Sequence, residues 1–139
     1  MTLVIDASMA LAWIYARERP DEADCADRAL QTITEMEASV PSLWQTEIAN
    51  ALLVGERRKI ITEAQTIDYL TRLARLPIAV DEATPAARQD QVIALAREYT
   101  LTAYDATYLD LALRMGAVLA TFDGKLAGAM QRAGGELFI

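Results

Sequence analysis

The chain begins MTLVIDASMALAW (residues 1–13), and the segment VIDAS within it decides the fold. Leu3 to Ile5 are a short apolar run, typical of a buried parallel strand, and helical character begins at Ser8 and continues to Ala16. An aspartate, Asp6, stands at the junction. We therefore expect a strand that ends in an acidic side chain at the edge of a sheet.

The rest of the chain alternates short apolar runs with longer helical segments. Strands are predicted over 78–80, 117–120 and 136–139, with a brief extended piece at 40–42. Helices are predicted over 21–38, 42–59, 62–76, 84–99, 102–115 and 124–133. Because tight hairpin turns are absent between the strands, the pattern indicates an α/β fold with a parallel sheet of four to five strands and helices on both faces.

Local signals mark several helix ends. Ser42 and Thr62 each precede a glutamine by three residues, which is the signature of a capping box. Pro85 follows Thr84 and suits the first position of a helix. Gly116 is expected to end the helix predicted over 102–115. These boundaries leave no room for a linker, so we expect one domain over residues 1–139.

The composition excludes several kinds of chemistry. The 139 residues include no histidine and one cysteine, Cys25, so a disulfide framework, a zinc site of Cys and His, and imidazole catalysis are excluded. The net charge of −7 argues against nucleic-acid binding over the whole surface. No run reaches the roughly 18 apolar residues of a membrane span, and no signal peptide is evident, so we expect a cytoplasmic protein.

Four acids are candidates for a functional site: Asp6, Glu47, Asp105 and Asp123. Asp6 and Asp123 each follow an apolar strand, and ligands of open parallel sheets bind outside the carboxyl ends of the strands. Both also suit helix N-caps, Glu47 suits a solvated helix face, and Asp105 suits a capping box with Thr102. Asp110, further along the same helix, is expected to be solvated.

Convergence of the four carboxylates requires a compensating charge. Two unit charges about 4 Å apart repel by roughly 4 kcal/mol at an effective dielectric of 20. A metal ion, or strongly raised pKa values, must offset this repulsion. Oxygen ligands without His or Cys select Mg²⁺ or Mn²⁺, and such a site suits hydrolysis at phosphorus.

Four motifs in order carry a resemblance to a known family: VIDAS (4–8), EIANAL (47–52), LTAYDATYL (101–109) and LATFDGKL (119–126). Over essentially the whole chain they resemble PIN-domain proteins, and among these the VapC-type ribonuclease toxins of bacterial toxin–antitoxin pairs. The resemblance implies a three-layer α/β/α fold and a Mg²⁺- or Mn²⁺-dependent endoribonuclease that leaves 5′-phosphate and 3′-hydroxyl ends.

The resemblance also assigns roles to individual residues. Asp6, Glu47, Asp105 and Asp123 match the acidic metal site of the family. Ser8 and Thr121 match small hydroxyl residues that flank the first and last acids and orient a carboxylate or a bound water. Asn50 also fits the family pattern.

Substrate contacts are predicted beside the site. The candidate cations are Arg17, Arg19, Arg57, Arg58 and Lys125, each of which also suits a solvated surface position. The aromatic side chains of Trp13, Trp44, Tyr104 and Tyr108 are suited to base stacking, but we expect all four to pack in the core.

The family further implies partners. A small VapB-type antitoxin is expected to wrap the chain and to place a basic side chain among the acids, and a homodimer is expected. The alternative to a nuclease is a PIN-like module that binds RNA or protein without cutting. Which RNA is cut and how many metal ions are bound stay open, because loops of tRNA, rRNA and mRNA all suit the same four acids.

Overall fold

The computed structural model describes all 139 residues, which form five strands and seven helices. The strands are β1 (Thr2–Ile5), β2 (Glu37–Val40), β3 (Ile78–Val80), β4 (Val118–Ala120) and β5 (Glu136–Leu137). The helices are α1 (Ala7–Leu11), α2 (Pro20–Thr32), α3 (Leu43–Arg57), α4 (Glu63–Leu73), α5 (Pro85–Tyr99), α6 (Ala103–Met115) and α7 (Gly124–Arg132). The predicted α/β class is confirmed.

The five strands form one parallel sheet in the order β3-β2-β1-β4-β5. The chain builds outward from β1 to β3 and then returns to the other side of β1. With right-handed crossovers this order places α1 to α4 on one face and α5 to α7 on the other, in agreement with the packing of α1 on α2 and α3 and of α6 on α5 and α7. The order reverses between β1 and β4, which is where an open sheet forms a ligand crevice.

The central strands are buried on both faces. Leu3, Val4 and Ile5 of β1 are completely inaccessible, as are Leu119 and Ala120 of β4. Consecutive buried residues are expected when helices cover both sides of a parallel sheet. The carboxyl ends of β1 and β4 are therefore held rigidly side by side in the core.

Several helix ends form as the sequence predicts. Thr62 and Gln65 make the reciprocal hydrogen bonds of a capping box at the start of α4. The hydroxyl of Thr84 accepts the Ala87 N–H at the start of α5, and Gly116 ends α6 with φ at 57°. Left-handed backbone at this position favours glycine over residues that carry a Cβ.

Two predicted helix ends and one predicted capping box are wrong. The helix predicted to reach Ala16 ends at Leu11, and the helix predicted over 21–38 ends at Thr32, so that Glu37 to Val40 form β2 instead. Short runs such as EASV suit a helix or a buried strand equally, and only pairing with β1 decides between them. Ser42 precedes α3 but makes no side-chain capping bond, because its backbone already has helical angles.

The aromatic side chains do not all lie in the core. Trp44 and Tyr108 are buried, and Trp13 is half-buried with its Nε1 donating to the Ala26 carbonyl oxygen. Tyr104 is 65% exposed, so the expected core position is wrong for this residue. It lies in the first turn of α6, where no other element covers the ring.

The helices are short. The longest, α3 and α5, have 15 residues each, and none of the seven combines the length and apolarity that crossing a bilayer requires. Cys25 lies half-buried in α2 as a free thiol, as expected for an ordinary helix residue.

Candidate acidic site

Asp6 lies at the carboxyl end of β1, where the strand order reverses. Its backbone N–H donates to Ala120 of β4 (3.1 Å), which extends the pairing of the two strands to the site itself. One carboxylate oxygen, Oδ1, accepts hydrogen bonds from the Ser8 hydroxyl (2.7 Å) and the Met9 N–H (3.0 Å). The other, Oδ2, accepts a short hydrogen bond from the Thr121 hydroxyl. Asp6 is thus an N-cap of α1, and both of its oxygens are oriented.

Asp123 occupies the equivalent position after β4. It caps α7, with Oδ1 accepting the Leu126 N–H at 2.9 Å. The Thr121 hydroxyl accepts the Asp123 N–H and the Ser8 hydroxyl accepts the Phe122 N–H, both at 2.9 Å. The two hydroxyl residues predicted to flank the acids therefore join the loops after β1 and β4 into one hydrogen-bonded unit.

Glu47 and Asp105 belong to helices on opposite faces of the sheet. Glu47 lies one turn into α3, and its Oε1 accepts a hydrogen bond from the hydroxyl of Tyr108, a fully buried residue of α6. Asp105 lies in the first turn of α6, where the Thr102 hydroxyl accepts its backbone N–H at 3.1 Å. The Glu47–Tyr108 hydrogen bond links α3 to α6 beside the sheet edge.

The electrostatics show that the four acids share one field. Burial raises the pKa of Asp6 to about 6, hydrogen bonds from Thr121 and Ser8 oppose this rise, and the charge of Asp123 adds to it. Burial also raises the pKa of Asp105, and the charges of Asp123 and Glu47 raise it further. The charge of Asp123 thus acts on both Asp6 and Asp105, and that of Glu47 acts on Asp105. The four carboxylates are hereafter called the acidic site.

No basic side chain forms an ion pair with any member of the acidic site. The carboxylates are also not gathered tightly enough, in groups of three or more, to form a ready-made metal cage. The side chains of Asp6, Glu47 and Asp123 are turned toward hydroxyl and N–H donors.

The free oxygens of the site fit a hard divalent cation. Oε2 of Glu47 and Oδ2 of Asp123 accept no hydrogen bond from the protein, and the carboxylate of Asp105 has only the Thr102 hydroxyl as a side-chain donor beside it. The donor set contains only oxygen, which suits Mg²⁺ or Mn²⁺ and disfavours zinc and copper. A bound cation would also lower the raised pKa values of Asp6 and Asp105.

The structure brings two of the predicted substrate contacts to the site and leaves three away from it. Lys125 is exposed, and its charge acts on Asp105. Arg17 stacks on the ring of Phe122, 4.5 Å from its centroid, between Thr121 and Asp123, and pairs with Glu22.

The remaining predicted contacts are exposed but lie further from the carboxylates. Arg19 pairs with Asp21 in solvent. Arg57 and Arg58 lie at the far end of α3, and Arg57 is roughly 15 Å along the helix from Glu47. Asn50 is one turn beyond Glu47 and exposed, and it makes no side-chain hydrogen bond within the chain.

Two features of this region were not predicted from the sequence. Tyr108 orients Glu47, although nothing in the sequence pairs residues so far apart. Asp110 is 3% exposed and accepts bidentate hydrogen bonds from Arg88 (3.0 and 2.7 Å) and a further one from Arg114 (3.1 Å). The expectation that Asp110 is solvated is therefore wrong, because its partners come from α5 and from the next turn of α6.

Known proteins are similar to this chain in sequence and in fold. A family model described as PIN domain matches residues 3–129. Ribonuclease VapC3 of Pyrobaculum aerophilum is 32% identical over 127 residues, which cover 91% of this chain and 93% of the relative.

Two solved structures are similar over most of their length. PAE2754 from Pyrobaculum aerophilum superposes with a TM-score of 0.65 at 26% identity, covering 93% of this chain and 79% of that one. FitAcB from Neisseria gonorrhoeae superposes with a TM-score of 0.64 over 99% of this chain and 96% of that one, and at 14% identity it supports the fold alone. The family predicted from the four motifs is confirmed, and the chain belongs to the PIN-domain family, in its VapC-type group.

Proposed function

We propose that the chain is a metal-dependent endoribonuclease toxin of the VapC type. The observation that carries the proposal is the acidic site itself: Asp6 and Asp123 follow the two strands at the switch point of the sheet, the charges of Asp123 and Glu47 act on Asp105, and no basic side chain pairs with any of the four. The 32% identity to a protein named ribonuclease VapC3 supports RNA as the substrate. The alternative is a PIN-like module that binds RNA or protein without cutting.

The four acids would hold one or two divalent ions. Asp6 and Asp105 are the proposed direct ligands, with Glu47 and Asp123 binding through water or holding a second ion. When bound, Mg²⁺ or Mn²⁺ would stabilise charge on the phosphoryl oxygens and acidify the attacking water. Attack of water on phosphorus with the 3′-oxygen as the leaving group breaks the P–O3′ bond and leaves 5′-phosphate and 3′-hydroxyl ends, without use of the 2′-hydroxyl of the RNA.

The surrounding side chains position the acids and the substrate. Ser8 and Thr121 fix both oxygens of Asp6, and Tyr108 fixes one oxygen of Glu47. Such hydrogen bonds set the direction of the free lone pairs before any ligand arrives. Lys125 and Arg17, the cations nearest the acids, are the proposed contacts to phosphate groups of the RNA.

The proposed partners follow from the same charge. A small VapB-type antitoxin that inserts a basic side chain among the unpaired carboxylates would neutralise them and block metal binding. A homodimer and a cytoplasmic location stay predictions from the sequence.

Cleavage of end-labelled total RNA tests the proposal. The purified, antitoxin-free protein is incubated with Mg²⁺, Mn²⁺ or EDTA beside two variants prepared identically, Asp105→Asn and Asp90→Asn. Asp90 is an exposed acid on α5 outside the acidic site, so it controls for the loss of one charge.

We expect discrete products with 5′-phosphate ends from the native chain and from Asp90→Asn when metal is present. EDTA or Asp105→Asn should abolish them while circular dichroism shows an unchanged fold. Equal behaviour of Asp105→Asn and the native chain over a wide range of RNAs would reject catalysis. Metal-independent RNA binding by both proteins would then support the binding module.

A further inference from the structure

A cavity of about 450 Å³, with a mostly apolar lining and a few polar side chains, lies at the same edge of the sheet as the acidic site. It is bordered by the loop after β2, the loop after β3, and the first turns of α3, α5 and α6. Tyr104 and Leu43 form the border toward the acids. Tyr104 directly precedes Asp105, and Leu43 lies one helical turn before Glu47 on the same face of α3.

We propose that this cavity, the side cavity, binds a nucleobase of the RNA next to the cleaved bond. The inference rests on the proposed nuclease function and adds a determinant of sequence preference to it. Cavities of roughly 300–1,000 Å³ with a few directed polar groups are typical of small-molecule and nucleotide sites. An RNA strand whose phosphate group lies at the four acids can place the neighbouring base in the side cavity.

The floor of the side cavity presents hydrogen-bond donors without a net charge. Arg88 donates through Nε and Nη2 to Asp110, and Arg114 donates through the same two nitrogens to Asp110 and Asp81. The Nη1 group of each arginine has no protein acceptor, and both side chains are about one third exposed, at 32% and 28%. Rigid guanidinium groups of this kind recognise acceptors on a base edge.

The rim of the side cavity presents an aromatic face. The ring of Tyr104 is 65% exposed although its neighbours Ala106 and Tyr108 are buried. Exposed aromatic rings stack on unpaired bases of RNA, and sequence-specific proteins read such bases after they are splayed from the chain. Because the two arginines are already paired with aspartates, the side cavity has no net positive charge to attract a phosphate group. A neutral base is therefore the occupant that these charges favour.

The primary test measures base preference and contact separately. Cleavage sites in a randomised single-stranded RNA pool are sequenced for the native chain and for Tyr104→Ala, Tyr104→Phe and Gln89→Ala. Gln89 is an exposed residue of α5 that lines the side cavity, and Tyr104→Phe keeps the stacking ring while removing the hydroxyl. In parallel, RNA containing 4-thiouridine is photo-crosslinked to the same proteins in EDTA, where cleavage does not proceed.

We expect the native chain to prefer particular bases at one position beside the cut. Tyr104→Ala should flatten that preference and lower kcat/KM roughly ten-fold, because one base loses its stacking partner, whereas Tyr104→Phe should keep both. Gln89→Ala should weaken the preference at that same position. The crosslink should map to the segment around Tyr104 in the native chain and disappear in Tyr104→Ala.

An unchanged preference in Tyr104→Ala, or crosslinks that map elsewhere, would overturn the inference. A change in oligomeric state or in antitoxin binding without a change in base preference would instead assign the side cavity to a protein interface, and would also overturn it. Failure of the nuclease proposal is distinguishable, because the crosslink requires neither metal nor cleavage. A crosslink at Tyr104 in a protein that does not cut RNA would support base binding and reject catalysis.

Discussion

Two groups of carboxylates lie at the same edge of the sheet, and only one of them is paired with basic side chains. Asp81 and Asp110 are joined by Arg88 and Arg114 into a continuous set of ion pairs, hereafter the paired cluster. The acidic site has no basic partner and relies on hydroxyl and N–H donors. Burial alone therefore does not explain why the acidic site lacks basic partners, since the buried Asp110 of the paired cluster does have arginine partners.

Asp81 of the paired cluster and Asp6 of the acidic site respond to pH in opposite directions. Burial opposes the ionisation of Asp81, but the hydrogen bond from Arg114, the Ala83 N–H and the two arginine charges lower its pKa below the ordinary value. Asp6 has its pKa raised to about 6. Ionised Asp81 therefore stabilises the folded chain, whereas ionised Asp6 destabilises it.

Removal of one acid from the acidic site should have the largest effect, and on activity rather than on stability. Asp105→Asn and Asp123→Asn each remove a proposed metal ligand. Metal ions supply several kcal/mol of transition-state stabilisation, so the expected loss in kcat is roughly 10²- to 10⁴-fold. RNA cleavage by matched amounts of folded protein measures it. A variant with near-native activity would remove that residue from the proposed site.

Removal of an arginine from the paired cluster should have the opposite outcome. Arg114→Met leaves the buried Asp110 with Arg88 alone and leaves Asp81 without a cation. Breaking a buried ion pair costs about 3–5 kcal/mol, and partial exposure of Arg114 places this case toward the lower end. Urea denaturation measures the loss, while metal affinity should be unchanged. Weakened metal binding would show that the two groups are not independent.

The Asp6→Asn variant should be more stable than the native chain above pH 6 in EDTA. The pKa of Asp6 is raised from 3.8 to about 6 on folding, so the native free energy of unfolding decreases as pH rises from about 4 to about 6 and then levels off. That shift amounts to an upper limit of roughly 3 kcal/mol, and loss of one hydrogen-bond acceptor reduces the gain to about 1–2 kcal/mol.

Urea denaturation at several pH values compares Asp6→Asn with the native chain. The difference in stability between the two should shrink as the pH falls toward 4, because the native carboxyl group then becomes neutral as well. A native chain whose stability rises through the same window would contradict the raised pKa of Asp6.

Tyr108→Phe should reduce activity less than removal of an acid does. The hydroxyl of Tyr108 holds one oxygen of Glu47, and loss of a partner that orients a ligand typically weakens metal affinity about 10- to 100-fold. Higher Mn²⁺ concentration should restore cleavage, which a purely structural defect would not allow. Tyr69→Phe is the matched control, because Tyr69 is also buried but donates to the Ala10 carbonyl oxygen away from the acids.

The sequence predicts the positions of Asp6 and Asp123 better than it predicts some helix boundaries. Asp6 and Asp123 are recognisable because each directly follows an apolar strand, and the structure places both at the switch point as N-caps. The end of α2 is not recognisable, because Glu37 to Val40 become a strand only through pairing with β1 and β3. Local chemistry marks caps and strand ends, whereas strand pairing is a property of the whole sheet.

The partners of buried polar groups are equally hidden in the sequence. Asp110 and Arg88 are separated by 22 residues, and Glu47 and Tyr108 by 61. No local pattern pairs residues at such distances, so the paired cluster and the positioning of Glu47 emerge only from the packing of α3, α5 and α6. The exposure of the Tyr104 ring is a third feature that no local pattern predicts, because Ala106 and Tyr108 of the same helix are buried.

Binding of Mn²⁺ to the native chain and to Asp105→Asn, measured by isothermal titration calorimetry in the absence of RNA, tests the central claim most directly. We expect the native chain and Arg114→Met to bind Mn²⁺ saturably. Asp105→Asn should bind Mn²⁺ much more weakly or not at all. Equal Mn²⁺ binding by the native chain and Asp105→Asn, or no saturable binding by either, would contradict the claim that the unpaired acids form a metal site.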